Sequence, residues 1–75
     1  MHLAYDPEHD TARVRLTAHV PPGGAVRQVP VDGPRTDAEA VLDLDADGRL
    51  LGIEVIGARR ALPADLLDAA DPATG

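Results

Sequence analysis

Apolar and polar residues alternate along several segments of the chain, as they do in half-buried β-strands. The clearest segment is 11–17, where Ala12, Val14 and Leu16 face one side and the polar residues between them face the other. Residues 2–5 form a shorter strand candidate ahead of it. These two segments predict a pair of strands near the start of the chain.

A turn and a proline set the limits of the next strands. Residues 6–10 hold a proline that fixes φ, flanked by aspartates that can bond nearby amides, so a turn is predicted there. Residues 26–31 alternate weakly, with Val29 and Val31 on either side of Pro30. Because proline has no N–H to offer a neighbouring strand, this segment is predicted to be an edge strand or an end of pairing.

The strongest pattern lies in residues 39–57, which read as a β-hairpin. A two-residue type I′ turn centred on Asp47 and Gly48 would place three apolar pairs on one face. Those pairs are Leu44 with Leu51, Leu42 with Ile53, and Ala40 with Val55. A slip of one residue would scatter the apolar set over both faces. Turn chemistry and hydrophobic pattern therefore agree on one register.

The period changes after Gly57, where a short amphipathic helix is predicted. Its apolar positions are Leu62, Leu66, Leu67 and Ala70. The predicted fold is α+β: an antiparallel β-meander of four to five strands with one short C-terminal helix. A single domain spans residues 1–75, with the sheet at about 2–57, the helix at about 62–70 and a frayed tail at 71–75.

Composition narrows the chemistry this chain can perform. The sequence has no Cys, Ser or Lys, which removes serine and cysteine nucleophiles, Schiff-base lysines and a P-loop lysine. The three histidines lack metal-ligand spacing, so no cofactor is expected. A small sheet with one helix also has little volume for the roughly 300 Å³ pocket that a substrate needs. No enzymatic activity is expected, and no catalytic residue is assigned.

Charge bears on the partners that the chain can take. The net charge is −6, and residues 37–75 hold nine acids against three arginines. Non-specific nucleic-acid binding needs the opposite sign, so no nucleic acid is expected. The exposed Arg13 and Arg15 can meet either cross-strand acids, the commoner case, or a phosphate. No apolar run approaches the roughly 20 residues of a membrane span, and no signal peptide is read at the start, so a cytoplasmic protein without membrane contact is expected.

Two motifs together resemble a known family. The first is the run Tyr5-Asp6-Pro7-Glu8-x-Asp10, and the second is Asp43-x-Asp45-x-Asp47-Gly48-x-Leu50-x-Gly52-Ile53-Glu54-Val55. They are similar to the domain-of-unknown-function family 2283, small bacterial and archaeal proteins, over residues 2 to roughly 60. The resemblance implies a compact antiparallel sheet with a C-terminal helix and no assigned activity. Some members are encoded beside small toxin-like proteins, which implies a binding or antitoxin role.

Residues 43–54 have a second interpretation, because they also satisfy the calcium-loop pattern D-x-[DN]-x-[DN]-G-x5-E. The ligands would be Asp43, Asp45, Asp47 and Glu54. A calcium-binding loop of this kind needs a helix after Glu54, and the glycines at 52 and 57 oppose one. The hairpin is therefore favoured, and calcium or other cation binding is kept as the alternative.

An interaction role is predicted from apolar residues on both sheet faces. The helix face can cover the apolar sheet face and form the core, which is the favoured interpretation, or it can pack on a second subunit. Val41, Leu50 and Ile56 then lie on the opposite face, where an apolar patch would mark an interface. The predicted interface residues are Val41, Leu50, Ile56, Leu62 and Leu66. The chain is expected to be a non-enzymatic protein-interaction module, either a homodimer or an antitoxin-like partner of a small protein.

Overall fold

A single six-stranded sheet dominates the computed structural model of the chain, which describes residues 1–17, 23–32 and 37–72. The strands are β1 (His2–Asp6), β2 (Thr11–Arg15), β3 (Arg27–Asp32), β4 (Glu39–Leu44), β5 (Leu50–Ile56) and β6 (Asp71–Pro72). Two short helices, α1 (Ala58–Ala61) and α2 (Ala64–Ala69), lie between β5 and β6 in the chain. Strands form in all four predicted regions, which are 2–5, 11–17, 26–31 and the hairpin at 39–57. The α+β class is confirmed.

The spatial order of the strands is β3-β4-β5-β2-β1-β6, which is not a meander. All neighbours are antiparallel except β6, which runs parallel to β1. The predicted meander of four to five strands is therefore wrong in strand number and in order. A meander would place β3 between β2 and β4, where Pro30 would leave a gap in the hydrogen-bond ladder. The chain instead puts β3 at the edge and fits β5, which has no proline, between β4 and β2.

One face of the sheet is lined by aliphatic side chains. Register joins Leu3, Val14, Ile53, Leu42 and Val29 across five strands in a single row. Since cross-strand partners share a face and alternate residues repeat it, the set extends to both sides of that row. We call these residues the apolar face: Leu3, Tyr5, Ala12, Val14, Leu16, Val29, Val31, Ala40, Leu42, Leu44, Leu51, Ile53 and Val55. The opposite side is called the polar face.

The β4–β5 hairpin has the predicted pairing in its body but a different turn. Leu42 lies opposite Ile53 as predicted, whereas a bulge at Leu44 shifts its partner from Leu51 to Leu50. The Gly48 amide donates to the Asp45 carbonyl at 3.0 Å. Gly48 has φ 81°, and Asp10 is the one non-glycine residue with positive φ in the described part of the chain. A type I′ turn needs positive φ at both central residues, so Asp47 rules it out. The loop is a turn from Asp45 to Gly48 with glycine in the left-handed position.

The helical region is divided in two, unlike the single helix predicted at 62–70. Leu62 and Pro63 are extended, with ψ 149° and 142°, and they separate α1 from α2. Pro63 has no N–H to donate and therefore precedes the first turn of α2 rather than continuing α1. Asp71 and Pro72 pair with β1 as β6, so the frayed tail predicted at 71–75 is wrong for these two residues. Residues 73–75 lie outside the described residues.

The described residues form very little core. Ala12 and Ala58 are the only buried hydrophobic side chains among them, the backbone of Gly52 is buried as well, and no large side chain is fully buried. The predicted core under the Leu62, Leu66 and Leu67 helix face is not built, because Leu66 is 42% exposed and the other two are half-buried. The sheet contributes its apolar side chains to a face rather than to an interior. No helix in the described ranges has the length and apolar character to cross a membrane.

Candidate functional site: the two sheet faces and the Asp10 junction

The polar face carries a small network of charged and amide groups. Arg13 on β2 lies opposite Glu54 on β5, and its Nε is 3.2 Å from the Glu54 carboxylate. Gln28 on β3 donates through Nε2 to Asp43 at 3.0 Å and to Glu54 at 3.2 Å. Arg13 therefore meets a cross-strand acid, the commoner of the two outcomes expected for it. The pair is half exposed on the arginine side, so it contributes little to the free energy of unfolding.

Three of the four carboxylates of the calcium-loop pattern, those of Asp43, Asp45 and Glu54, accept hydrogen bonds from other groups of the chain. Asp43 and Glu54 share Gln28 on the polar face, as described above. Asp45 Oδ1 accepts hydrogen bonds from the amides of Asp47 and Arg49, both at 2.9 Å, and so closes the hairpin turn. Among the described residues, no three of these carboxylates bring an oxygen each within 4.8 Å of one another. The loop folds as a hairpin, which is the interpretation that the sequence favoured.

A different carboxylate, Asp10, joins three parts of the chain. Its Oδ1 accepts from the Tyr5 hydroxyl at 2.7 Å and from the Arg59 amide at 3.0 Å. Its carbonyl accepts from the amides of Gly57 and Ala58, both at 3.0 Å. Asp10 itself has φ 50°, a conformation that aspartate tolerates better than most residues with a Cβ. We call this set of contacts the Asp10 junction, and it fixes the start of α1 against the β1–β2 turn.

The pKa values of the junction follow from these contacts. Burial acts to raise the pKa of Asp10, but the hydrogen bonds from Tyr5 and the Arg59 amide, with the nearby Arg59 and Arg60 charges, lower it overall. The pKa of Tyr5 is raised, first by desolvation and then by the hydrogen bond that its hydroxyl gives to the Asp10 carboxylate. The junction therefore holds a charged carboxylate beside a neutral phenol at neutral pH.

Sequence reasoning did not identify Tyr5 and Asp10 as a pair. The available signals were that Tyr5 is the only aromatic residue and that Asp10 ends a turn, where αL-tolerant residues occur. Neither signal predicts that Asp10 accepts from the Arg59 amide, 49 residues away in sequence, because that contact depends on β5 lying beside β2.

The β1–β2 turn holds the one cluster of potential metal ligands in the described part of the chain. Asp6, Glu8 and His9 bring one ligand atom each within 4.8 Å of one another. Asp6 Oδ1 caps the turn by accepting from the amides of Glu8 and His9, at 3.0 and 3.4 Å, and its Oδ2 accepts from His9 Nδ1 at 2.7 Å. The bond from His9 is the main reason that the pKa of Asp6 is lowered. These contacts give the acidic turn a structural role.

The predicted interface residues lie on β4, on β5 and in the helical region. Leu50 and Ile56 lie at opposite ends of β5 and are 37% and 44% exposed. Val41 is half-buried on the polar face, between Glu54 and Pro30. The remaining two predicted residues, Leu62 and Leu66, belong to the helical region that follows β5 in the chain. Ile56 contributes to an open groove of about 540 Å³ beside Pro30, Val31, Asp32, Asp37, Ala38 and Glu39.

The apolar face extends over five neighbouring strands of the sheet. Of its thirteen residues, Ala12 is buried, while Leu16 and Val31 are each 39% exposed and the rest are half-buried. The helical region touches one margin, where Tyr5, Arg59, Ala64, Leu67 and Asp68 line an open groove of about 430 Å³. Monomeric proteins rarely leave an apolar patch of this extent accessible, and such patches commonly mark an interaction site. The apolar face is therefore the candidate functional surface.

Comparison with known proteins gives one match. Residues 2–59 match the model of the family described as "Protein of unknown function (DUF2283)". The matched region contains β1 to β5, the Asp10 junction and the whole apolar face. The search of curated proteins and the search of solved structures returned no match.

Proposed function

The chain belongs to the DUF2283 family of proteins of unknown function, and we propose that it is a non-enzymatic protein-interaction module that binds through the apolar face. One observation carries the proposal: aliphatic side chains line one side of the sheet, yet Ala12 is the only residue of this apolar face that is buried. An apolar sheet face gains about 25 cal/mol for each Å² removed from water. A protein partner can supply that burial across a surface this broad.

The chemistry of the remaining surface supports a binding role over catalysis. On the polar face Arg13 pairs with Glu54 and Gln28 donates to Asp43, and the turn carboxylates Asp6 and Asp45 accept backbone amides. None of these arrangements leaves a nucleophile beside a base, which the simplest covalent mechanisms need. An antitoxin-like protein, held against a small partner protein, is one specific form of the proposed role.

Cation binding through residues 43–54 stays a prediction. The use of Asp45 by the turn and of Glu54 by Arg13 and Gln28 works against a closed set of ligands. Calcium titration into metal-free protein, followed at the backbone amides of residues 43–54 by NMR, tests it directly. Saturable shifts at micromolar to millimolar calcium would establish a metal-dependent module.

The proposal can be tested by thiol labelling, because the chain has no cysteine of its own. Leu42→Cys places a unique thiol on the apolar face, and Val41→Cys places one on the polar face of the same strand. We expect the maleimide reaction of Leu42→Cys to slow at least about tenfold when a partner or a high protein concentration is present, since interface cores exclude water. Val41→Cys should change little under the same conditions.

Two results would refute the interaction role. If Leu42→Cys is as protected in a nanomolar sample of pure protein as in a concentrated one, the chain covers its own apolar face. If Leu42→Cys reacts equally fast when dilute, concentrated and in host-cell lysate, nothing binds the face. Circular dichroism of both variants shows that the comparison is made on folded protein.

A further inference from the structure

We propose that the occupant of the apolar face is a second copy of this chain, so that two sheets pack face to face as a symmetric homodimer. This inference rests on the proposed interaction role and names its partner. In such a sandwich, the two sheets lie about 10 Å apart and their side chains interdigitate to make the core that a single copy lacks. The interface would be isologous, with the same residues contributed by each copy.

The exposed area matches what a stable dimer needs. The whole chain exposes 5226 Å². Size scaling gives about 4,400 Å² for a folded monomer of 7.8 kDa. The excess of about 800 Å², summed over the whole surface of the chain, is of the order of the area that each partner buries in a standard stable interface. A chain of 75 residues is also in the size range in which a single core supplies only about 3–5 kcal/mol, and oligomerisation is one of the usual additional sources of stability.

The edges of the sheet direct association to the face. The two outer strands are β3 and β6, and each contains a proline, Pro30 and Pro72. Proline cannot donate a ladder hydrogen bond, and it is one of the devices that stop sheets from pairing edge to edge. A second copy is therefore expected to bind across the strands' side chains and not alongside their backbones.

The distribution of charge permits self-association despite a net charge of −6. Arg27, which pairs with Leu44 and alternates with Val29 and Val31, is the one charged strand residue on the apolar side of the sheet among the described residues, and it lies exposed at the edge. The acids Asp43 and Glu54 lie on the polar face. In a face-to-face dimer, the polar faces point away from each other, and they are separated by more than the Debye length of about 8 Å at physiological salt.

The scarcity of charge on this face favours a second copy over a different protein. Specific pairs of unlike proteins usually match opposite charges or hydrogen-bonding groups across the interface. The apolar face presents aliphatic groups, and its single hydroxyl, on Tyr5, already donates to Asp10. Apart from Arg27 at its edge, the face offers no charge for an unlike partner to match, and an apolar surface can pack on a second copy of itself, as a two-fold interface requires.

Two isosteric substitutions test the inference by sedimentation equilibrium of the full chain. Val14→Thr puts a hydroxyl at the centre of the apolar face, and Val41→Thr puts one at a half-buried position on the polar face. The wild-type protein should have twice the 7.8 kDa chain mass at micromolar concentration. Val14→Thr should raise the dimer Kd about 30-fold or more, because the unpaired hydroxyl is buried twice in the symmetric dimer. Val41→Thr should leave the Kd within about threefold of wild type, because surface changes cost little.

A second measurement needs no variant. In a mixture of ¹³C-labelled and unlabelled protein, intermolecular NOEs are expected between methyl groups of Ile53, Leu42 and Val14. A chain that stays at 7.8 kDa up to several hundred micromolar overturns the homodimer. So does a dimer that Val41→Thr weakens and Val14→Thr does not. Either result leaves the interaction role to be judged by Leu42→Cys labelling in lysate, so the two proposals fail separately.

Discussion

Replacing Asp10 tests the junction that holds α1 against the β1–β2 turn. Asp10→Ala removes the acceptor of the Tyr5 hydroxyl and the Arg59 amide. Hydrogen bonds to a charged group contribute about 1.5–3 kcal/mol each when buried, and the half-buried position of Asp10 places these two at or below the lower end. Alanine also has to adopt φ near 50°, which costs about 1–2 kcal/mol for a residue with a Cβ. With about 1 kcal/mol for each of the two hydrogen bonds and about 1 kcal/mol for the backbone, Asp10→Ala should lower the free energy of unfolding by about 3 kcal/mol.

The separate contributions can be resolved with two further variants at the same position. Asp10→Gly loses the same hydrogen bonds but accepts positive φ, so it should be about 1 kcal/mol more stable than Asp10→Ala. Asp10→Asn keeps an acceptor oxygen and tolerates the left-handed conformation, so it should lose only about 1 kcal/mol. The expected order of stability is wild type, Asp10→Asn, Asp10→Gly and Asp10→Ala.

Urea unfolding followed by far-ultraviolet circular dichroism measures these differences. With a slope of about 1 kcal/mol/M for a chain this small, Asp10→Ala should lower the urea midpoint by roughly 2–3 M. Asp47→Ala is the matched control, because it removes an exposed aspartate from another turn and should change stability by less than about 0.5 kcal/mol. The reasoning is refuted if Asp10→Ala and Asp47→Ala have the same midpoint, or if Asp10→Gly is no more stable than Asp10→Ala.

Three further predictions follow from individual residues. The folded-state pKa of Asp10 is lowered, so ionised Asp10 stabilises the fold above its unfolded pKa of about 3.9, and this stabilisation is lost as pH falls through the folded value. The urea midpoint measured from pH 6 to pH 2 should therefore fall less steeply in Asp10→Ala than in wild type. Parallel curves for the two proteins would contradict this. The phenol absorbance of Tyr5 should titrate above its ordinary range in wild type, and Asp10→Ala should move it back toward that range; an unchanged titration would mean that the hydrogen bond has no effect. Gly52→Ala would place a Cβ 2.7 Å from the Val14 carbonyl oxygen and should cost about 1–3 kcal/mol in urea unfolding. Gly48→Ala is the control: its Cβ would meet no atom within 4 Å, so it should cost only the roughly 1–2 kcal/mol of its positive φ. If Gly52→Ala is as stable as wild type, the Cβ does not clash, and β2 and β5 lie further apart than the structure shows.

The strands were predictable because their signal is local. Alternation alone located β1, β2 and the bodies of β4 and β5, and the register of Leu42 with Ile53 follows from keeping apolar residues on one face. Sheet order is not a local property, and alternation does not determine it. Pro30 predicts an edge strand or an end of pairing, whereas a meander makes β3 a central strand, so the two predictions conflict and the proline prevails.

The predictions of the hairpin turn and of a single helix were wrong for related reasons. Asp47 followed by Gly48 suits a type I′ turn, but Asp45 instead binds the Asp47 and Arg49 amides and stabilises a longer loop. That competition between side chain and backbone is not visible in a two-residue motif. Likewise, the apolar spacing after Gly57 suggested one helix, whereas Pro63 sets the start of the second.

The sequence predicts which residues make up the apolar face, but it does not predict whether that face is covered by the chain's own helices. Sequence patterning placed Leu42, Leu44, Leu51 and Ile53 together, as the register shows, with the bulge moving only the Leu44 partner. The helix that was expected to cover them is split and lies at one margin, near Tyr5. Whether an apolar surface becomes core or interface depends on where the next element of the chain goes, and alternation carries no information on that.

The position of β5 between β4 and β2 also sets an order of events during synthesis. Thr11 pairs with Ile56 and Arg15 with Gly52. The strand β2 therefore cannot pair with β5 until residues more than thirty positions further along the chain have been made. The β4–β5 hairpin closes locally and fast, whereas joining β2 to it requires a long loop to close, which slows folding. Until the ribosome has released β5, the emerging β1–β2 hairpin carries an open backbone edge and an uncovered row of aliphatic side chains. The newly made chain is therefore most open to aggregation, and to capture by chaperones, just before residue 57 emerges.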